Sequence, residues 1–189
     1  MGNRVHFTWQ IAMRSLAAIV ACTALVGSVW ATTLQQLSTD QMIQQSTAIV
    51  RAKVTGSYAA FRGKDVYTYY RLTVSENLKG TSAASLEVAV AGGAARGIRQ
   101  MVPGAPVLAN GQDYVIFLWT SKSGLTQIIG LSQGLFVVTQ DSAGNSVIVR
   151  PAAVSMMLNQ SGQVVADQPV SLSLTDLRTE IRGVLGAAK

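Results

Sequence analysis

STAIVRAKVTGSYAAFRGKDVYTYYRLTVSENLKG, running from Ser46 to Gly80, carries one alternation in both of its arms. In the first arm Val50, Ala52 and Val54 interleave with Arg51, Lys53 and Thr55. In the second, Tyr70, Leu72 and Val74 interleave with Tyr69, Arg71 and Thr73. A two-residue period sends the apolar set to one face and the polar set to the other, as a strand covering a core requires. Between the arms, Arg62-Gly63-Lys64-Asp65 has the turn chemistry of a hairpin. The expectation is a strand from about Ala48 to Tyr58 and a second from Val66 to Asn77, closed by Leu78-Lys79-Gly80.

Immediately upstream, Ser38 with Gln41 has the spacing of a capping box, and Leu37 with Met42 that of a hydrophobic staple. They predict a short helix over Thr39 to Thr47, entered from a lead-in at Thr32 to Gln36. Further upstream the pattern is that of a targeting segment. Arg4 and Arg14 precede an apolar run from Leu16 to Val29, and Val29-Trp30-Ala31 offers a small-residue cleavage site between Ala31 and Thr32. The run is shorter than the roughly 20 residues of a spanning helix. Ile19-Val20-Ala21-Cys22 resembles the box at which bacterial lipoproteins are cut and acylated, so anchoring at Cys22 is the alternative. The expected product is periplasmic or secreted, with residues 1–31 removed and residues 32–189 forming one domain without a stable transmembrane segment.

That cleavage decides which chemistry is left. The single histidine, His6, and the single cysteine, Cys22, both leave with the segment. Thiol nucleophiles, disulfides, imidazole bases and the usual zinc sites are then excluded from the mature chain. Arg4 and Arg14 also leave while all nine acidic residues stay, so the formal charge falls from +6 to +4. A mildly basic, scattered charge is that of a solvated surface. The 158 residues left of 189 suffice for one core.

Downstream of the hairpin, Thr81 to Ala84 reads as a turn and Ser85 to Ala91 as a third alternating strand. From Gly92 to Gln112 the alternation stops and glycine and proline recur. A loop of this length inside a domain is either functional or a connector. Asp113 to Thr120, DYVIFLWT, is a nearly continuous apolar run, as in a strand buried on both faces. Strands are expected at Leu125 to Leu131, Leu135 to Gln140 and Ser146 to Arg150, the last two joined by the Asp141 to Asn145 turn. Ser155 to Gln168 reads as a surface excursion. Ser173 with Asp176 and Leu172 with Leu177 predict a second capped helix over about 174–187, its apolar face carrying Leu177, Ile181, Val184 and Leu185. The fold class is mainly β: a closed or nearly closed barrel, its core about 48–150, with a short helix before and an amphipathic helix after.

AIVRAKV, the strand ending in Leu78-Lys79-Gly80, LEVAVAGG and NGQDYVIFL together resemble the netrin-like domain of the tissue inhibitors of metalloproteinases. Val102 to Pro106 and Gly130 to Gly134 extend a similarity to a family of uncharacterised bacterial secreted proteins. The resemblance covers about Leu37 to Val149 and implies an OB-like barrel of five to seven strands. In those inhibitors the mature amino terminus is a cysteine that binds the protease zinc, in an edge held by disulfides. Thr32 is the expected terminus here, so those residues have no counterpart, and without bridges the segment lacks that preorganisation.

Gly130-Leu131-Ser132-Gln133-Gly134 fits G-x-S-x-G. A nucleophile elbow joins strand to helix and needs a histidine. Here a strand is expected to follow, leaving only a serine–lysine route through Lys122 or Lys79. Glu76, Glu87, Asp113 and Asp141 show no paired spacing. No enzyme, metal or cofactor is expected. Tyr69 and Arg71 on the polar face, with Arg96 and Arg99 in the long loop, are the candidate partner contacts, while Tyr70 belongs to the core. The function expected is a non-catalytic binding or scaffold module of the cell envelope, contacting a protein or polymer and no nucleic acid. The alternative is an inhibitor or accessory protein of an extracellular protease.

Overall fold

In the computed structural model, the residues described are 34–187 other than Ser82 and Ser155. The expected cleavage site at Ala31 and Thr32 and the alternative acylation site at Cys22 lie outside them. The described chain opens on β1 (Leu34–Gln35) and helix α1 (Thr39–Gln45). Both halves of the capping box form: Gln41 N–H donates to Ser38 Oγ at 3.2 Å, and Ser38 N–H donates to Gln41 Oε1 at 2.9 Å. The helix ends two residues earlier than its sequence suggests. Ser46 Oγ turns back to the Met42 carbonyl, and Lys79 Nζ donates to the carbonyls of Ile43, Gln44 and Ser46 at 2.5, 3.0 and 2.6 Å. One ammonium thus satisfies carbonyls that a helix end leaves without partners.

β2 (Ala48–Arg62) and β3 (Asp65–Lys79) form the expected hairpin, each arm longer than its alternation implied. β4 (Ser85–Ala91) follows on the outer side of β3. The long loop is not without structure, because β5 (Gly93–Ala95) and β6 (Ile98–Gln100) make a small hairpin inside it. Next come β7 (Asp113–Thr120), β8 (Thr126–Ile128), β9 (Leu135–Gln140) and β10 (Ser146–Arg150). β8 is shorter than Leu125 to Leu131, since residues 129–134 form turns. The excursion from Ser155 to Gln168 carries β11 (Met157–Leu158) and β12 (Val164–Val165), and β11 pairs in parallel with β1. β13 (Val170–Ser173) leads directly into α2 (Leu174–Ala187).

The main sheet has the order β13-β10-β9-β7-β2-β3-β4, with β8 also paired to β7. Register shifts at Ile49/Val50, Arg51/Ala52 and Val54/Gly56 bend β2, the usual effect of an extra residue in one strand of a pair. The bend curls the hairpin so far that Arg62 Nη2 near its tip reaches Ser123 Oγ in the β7–β8 turn at 3.2 Å. β8 comes alongside β4 without a ladder between them. The expected barrel closure is therefore corrected: the sheet is curled but not closed, because β8, three residues long, is laddered to β7 alone and leaves its other edge unpaired with β4.

The curl produces two cores. Val50, Ala52, Val54, Leu72, Val88, Tyr114, Ile116 and Leu118 share the inner one. Met42, Ile43, Ile49, Val115, Phe117, Phe136, Ile148, Leu177 and Ile181 fill the space between sheet and helices. β7 supplies alternate residues to both, which explains its continuous apolar run. α2 is fastened to β3 by a bidentate pair, Arg178 Nε and Nη2 each 2.8 Å from the Glu76 carboxylate. Among the described residues no helix is long and apolar enough to cross a membrane.

Candidate binding surfaces

The four candidate contacts divide between two surfaces. Tyr69 and Arg71 stand on the outer face of β3, opposite Ala89 and Glu87 of β4, whereas Tyr70 is buried in the inner core. Tyr58, which the alternation did not single out, joins them. By strict parity Tyr58 would point inward with Val50, Ala52 and Val54. The shift between Val54 and Gly56 reverses the phase, pairing Tyr58 with Tyr69 on the outside.

These side chains form one row. The Tyr58 and Tyr69 rings stack with centroids 5.1 Å apart and planes 15° from parallel. Tyr67 lies 6.3 Å from Tyr69 at 44°, and the Arg71 guanidinium sits over Tyr58 at 5.2 Å. Tyr58 Oη donates to Glu87 Oε1 at 3.1 Å, and that bond, ahead of every other influence, raises the phenol above its ordinary value of 10.0. Tyr58 stacks against Tyr69, lies under Arg71 and stays 41% exposed, so the row offers solvent aromatic surface, hydroxyls and a guanidinium.

Arg96 and Arg99 are elsewhere, on the β5–β6 hairpin. That hairpin packs on the distal part of β2–β3: Val66 N–H donates to Gln100 Oε1 at 2.7 Å and Thr68 Oγ1 to the Gly92 carbonyl at 2.9 Å. Arg96 lies over the Phe61 ring at 5.9 Å. Arg99 edges a cavity of about 230 Å³ whose other walls include Thr68, Tyr70, Val90, Met101 and Val107. A Cβ on Gly93 would come within 2.5 Å of Thr68 Oγ1, so glycine is required where the hairpin meets β3.

Gly130 to Gly134 is a turn from β8 into β9, and the residue after it is a strand residue. Ser132 Oγ is buried with no hydrogen-bond partner. Lys79 Nζ is occupied by three carbonyls of the α1 end, and burial depresses its pKa. Gln133 instead holds the segment preceding α1, through bonds to Gln35 and Leu37. Among the described residues no cluster of three or more His, Cys, Asp or Glu is placed to hold a metal ion. No family model, curated protein or solved structure matches this chain.

Proposed function

We propose that the chain is an exported, non-catalytic binding module of the cell envelope whose contact surface is the Arg71–Tyr58–Tyr69–Tyr67 row. The observation that carries it is the pre-set geometry of that row. Tyr58 is held by Glu87, Arg71 and Tyr69 at once, so little side-chain freedom remains to be lost on binding. Tyrosine and arginine on a rigid sheet are the residue types that carry most energy at protein interfaces. An OB-like, netrin-like arrangement whose sheet stays open between β4 and β8 is the fold reading that goes with it. In its favour are the order β4-β3-β2-β7, the bend of β2 and the approach of β8 to β4. Cleavage after Ala31 predicts a secreted or periplasmic product that begins at Thr32, which amino-terminal sequencing checks.

The test is capture of partners from envelope and culture fractions by the protein isolated from its own cell, compared with Tyr69→Ala and Arg71→Ala forms. A partner retained equally by all three forms overturns the surface assignment.

One observation favours protease inhibition as the second reading. The segment leading to α1 is fastened without disulfides, by the β1–β11 ladder and the two Gln133 bonds. The preorganisation that the sequence was expected to lack is thus supplied by other means for Gln35 to Leu37. Deleting Thr32 to Gln36 would remove β1 itself, so a cleaner discriminator is one extra residue placed before Thr32. Loss of protease inhibition in that form supports the inhibitor, and unchanged partner capture supports the module.

A further inference from the structure

Away from the tyrosine row, the hairpin tip and the β5–β6 hairpin bring a second set of groups to one end of the molecule. Arg96 stacks on Phe61, Arg62 touches Ser123, and Lys64 and Lys122 belong to the two turns so joined. With Arg99 this makes five exposed cations, against one carboxylate, Asp65, in the same turns. Among them stand three apolar side chains that the fold leaves in solvent: Ile98 at 56% exposure, Met101 at 80% and Val107 at 85%. Met101, Val107 and Arg99 line one cavity, and Ile98 adjoins Arg99 in β6, so the apolar side chains neighbour that cation.

We propose that this end docks on an anionic lipid surface, with Ile98, Met101 and Val107 entering the interfacial zone and the five cations over the headgroups. Charge complementarity selects an anionic partner, because basic groups near such a surface each add attraction. The apolar groups select lipid over an acidic protein. Ile98 opens β6 and Met101 and Val107 stand in the irregular segment after it, which suits penetration of a yielding surface, whereas protein hot spots fill packed pockets. The inference is independent of the tyrosine row, because Val66 and Thr68, against which the β5–β6 hairpin packs, alternate with Tyr67 and Tyr69 along β3 and so face the other side of the sheet.

The test is co-sedimentation of the protein, as isolated from its cell, with vesicles of phosphatidylcholine alone or mixed with phosphatidylglycerol. Binding is expected only to the mixed vesicles and should weaken with added salt. Arg96→Gln with Arg99→Gln should lower affinity about 25-fold, from about fivefold per cation. Met101→Trp should show a blue-shifted emission on mixed vesicles, reporting entry of that side chain. The proposal is overturned by absence of binding to mixed vesicles, or by equal binding of wild type and the Arg96→Gln, Arg99→Gln form. It is also overturned if Ile98→Ser, Met101→Ser and Val107→Ser leave vesicle binding intact while a soluble polyanion competes fully. All substitutions are at exposed positions, and an unchanged urea midpoint verifies that each variant is folded.

Discussion

Gln133 Oε1 accepts the Leu37 backbone N–H at 2.8 Å, and the same side chain donates from Nε2 to the Gln35 carbonyl at 2.8 Å. A single buried amide in the β8–β9 turn thereby replaces a missing strand neighbour for the chain entering α1. Replacing Gln133 with alanine leaves a donor and an acceptor without partners, at about 1–3 kcal/mol for such a group. Urea denaturation should show the lower midpoint. Hydrogen exchange at the Leu37 amide should accelerate more than at core amides of β7.

Ser132, one residue earlier, should behave in the opposite way. Its hydroxyl is buried and unsatisfied, so Ser132→Ala removes a desolvated polar group without breaking any bond. The expected change in unfolding free energy is zero to about 1 kcal/mol of stabilisation. A loss of more than that would show that the hydroxyl has a role in the turn.

Arg150 and Asp167 form the most buried ion pair among the described residues, Nη1 lying 2.9 Å from Oδ1. Asp167 also accepts the Ala153 N–H at 2.7 Å, so it anchors the excursion that carries β11 and β12. Asp167→Ala strands a buried guanidinium and should cost about 3–5 kcal/mol. Substituting both partners by apolar residues, Arg150→Met with Asp167→Leu, should cost less than the single change. Equal costs would mean that the Ala153 bond, not the charge, dominates.

Glu76 is held below its ordinary value of 4.5, first by the hydrogen bonds from Arg178, with burial opposing. The carboxylate is favoured in the folded chain. Its contribution is therefore complete above the unfolded value and lost as pH falls through the lower folded value. Both side chains are about one-third exposed, which limits the pair to about 0–1 kcal/mol. Comparing wild type with Glu76→Gln, the stability difference should be present at pH 7 and vanish in acid. A difference that persists unchanged once the medium is acid enough to protonate Glu76 would remove the ion pair as its cause.

Tyr58 titrates above 10.0 because its hydroxyl donates to Glu87. Glu87→Gln should bring the phenol downward toward its ordinary value, read by ultraviolet titration, while Tyr69→Phe should leave most of the rise in place. If Glu87→Gln has no effect, the Tyr58–Glu87 bond is not maintained in solution and the row is less rigid than its geometry implies.

Local pattern reached as far as local physics does. Alternation in Val50 to Thr55 and Tyr69 to Val74, the Ser38–Gln41 box and the continuous run of β7 each report which side of an element is dry. Those features placed the helices and most of the strands of the main sheet. Register, by contrast, is a property of pairs of strands. The bulge beside Gly56 turned Tyr58 outward and curled the hairpin until Arg62 met Ser123, a reversal that no alternation within one strand encodes. Neither the open seam between β4 and β8, nor the Gln133 bonds to a segment 96 positions away, nor the separation of Tyr69 and Arg71 from Arg96 and Arg99 has a local signature. Each depends on where strands distant in the chain come to lie, and that is fixed only when both cores are packed together.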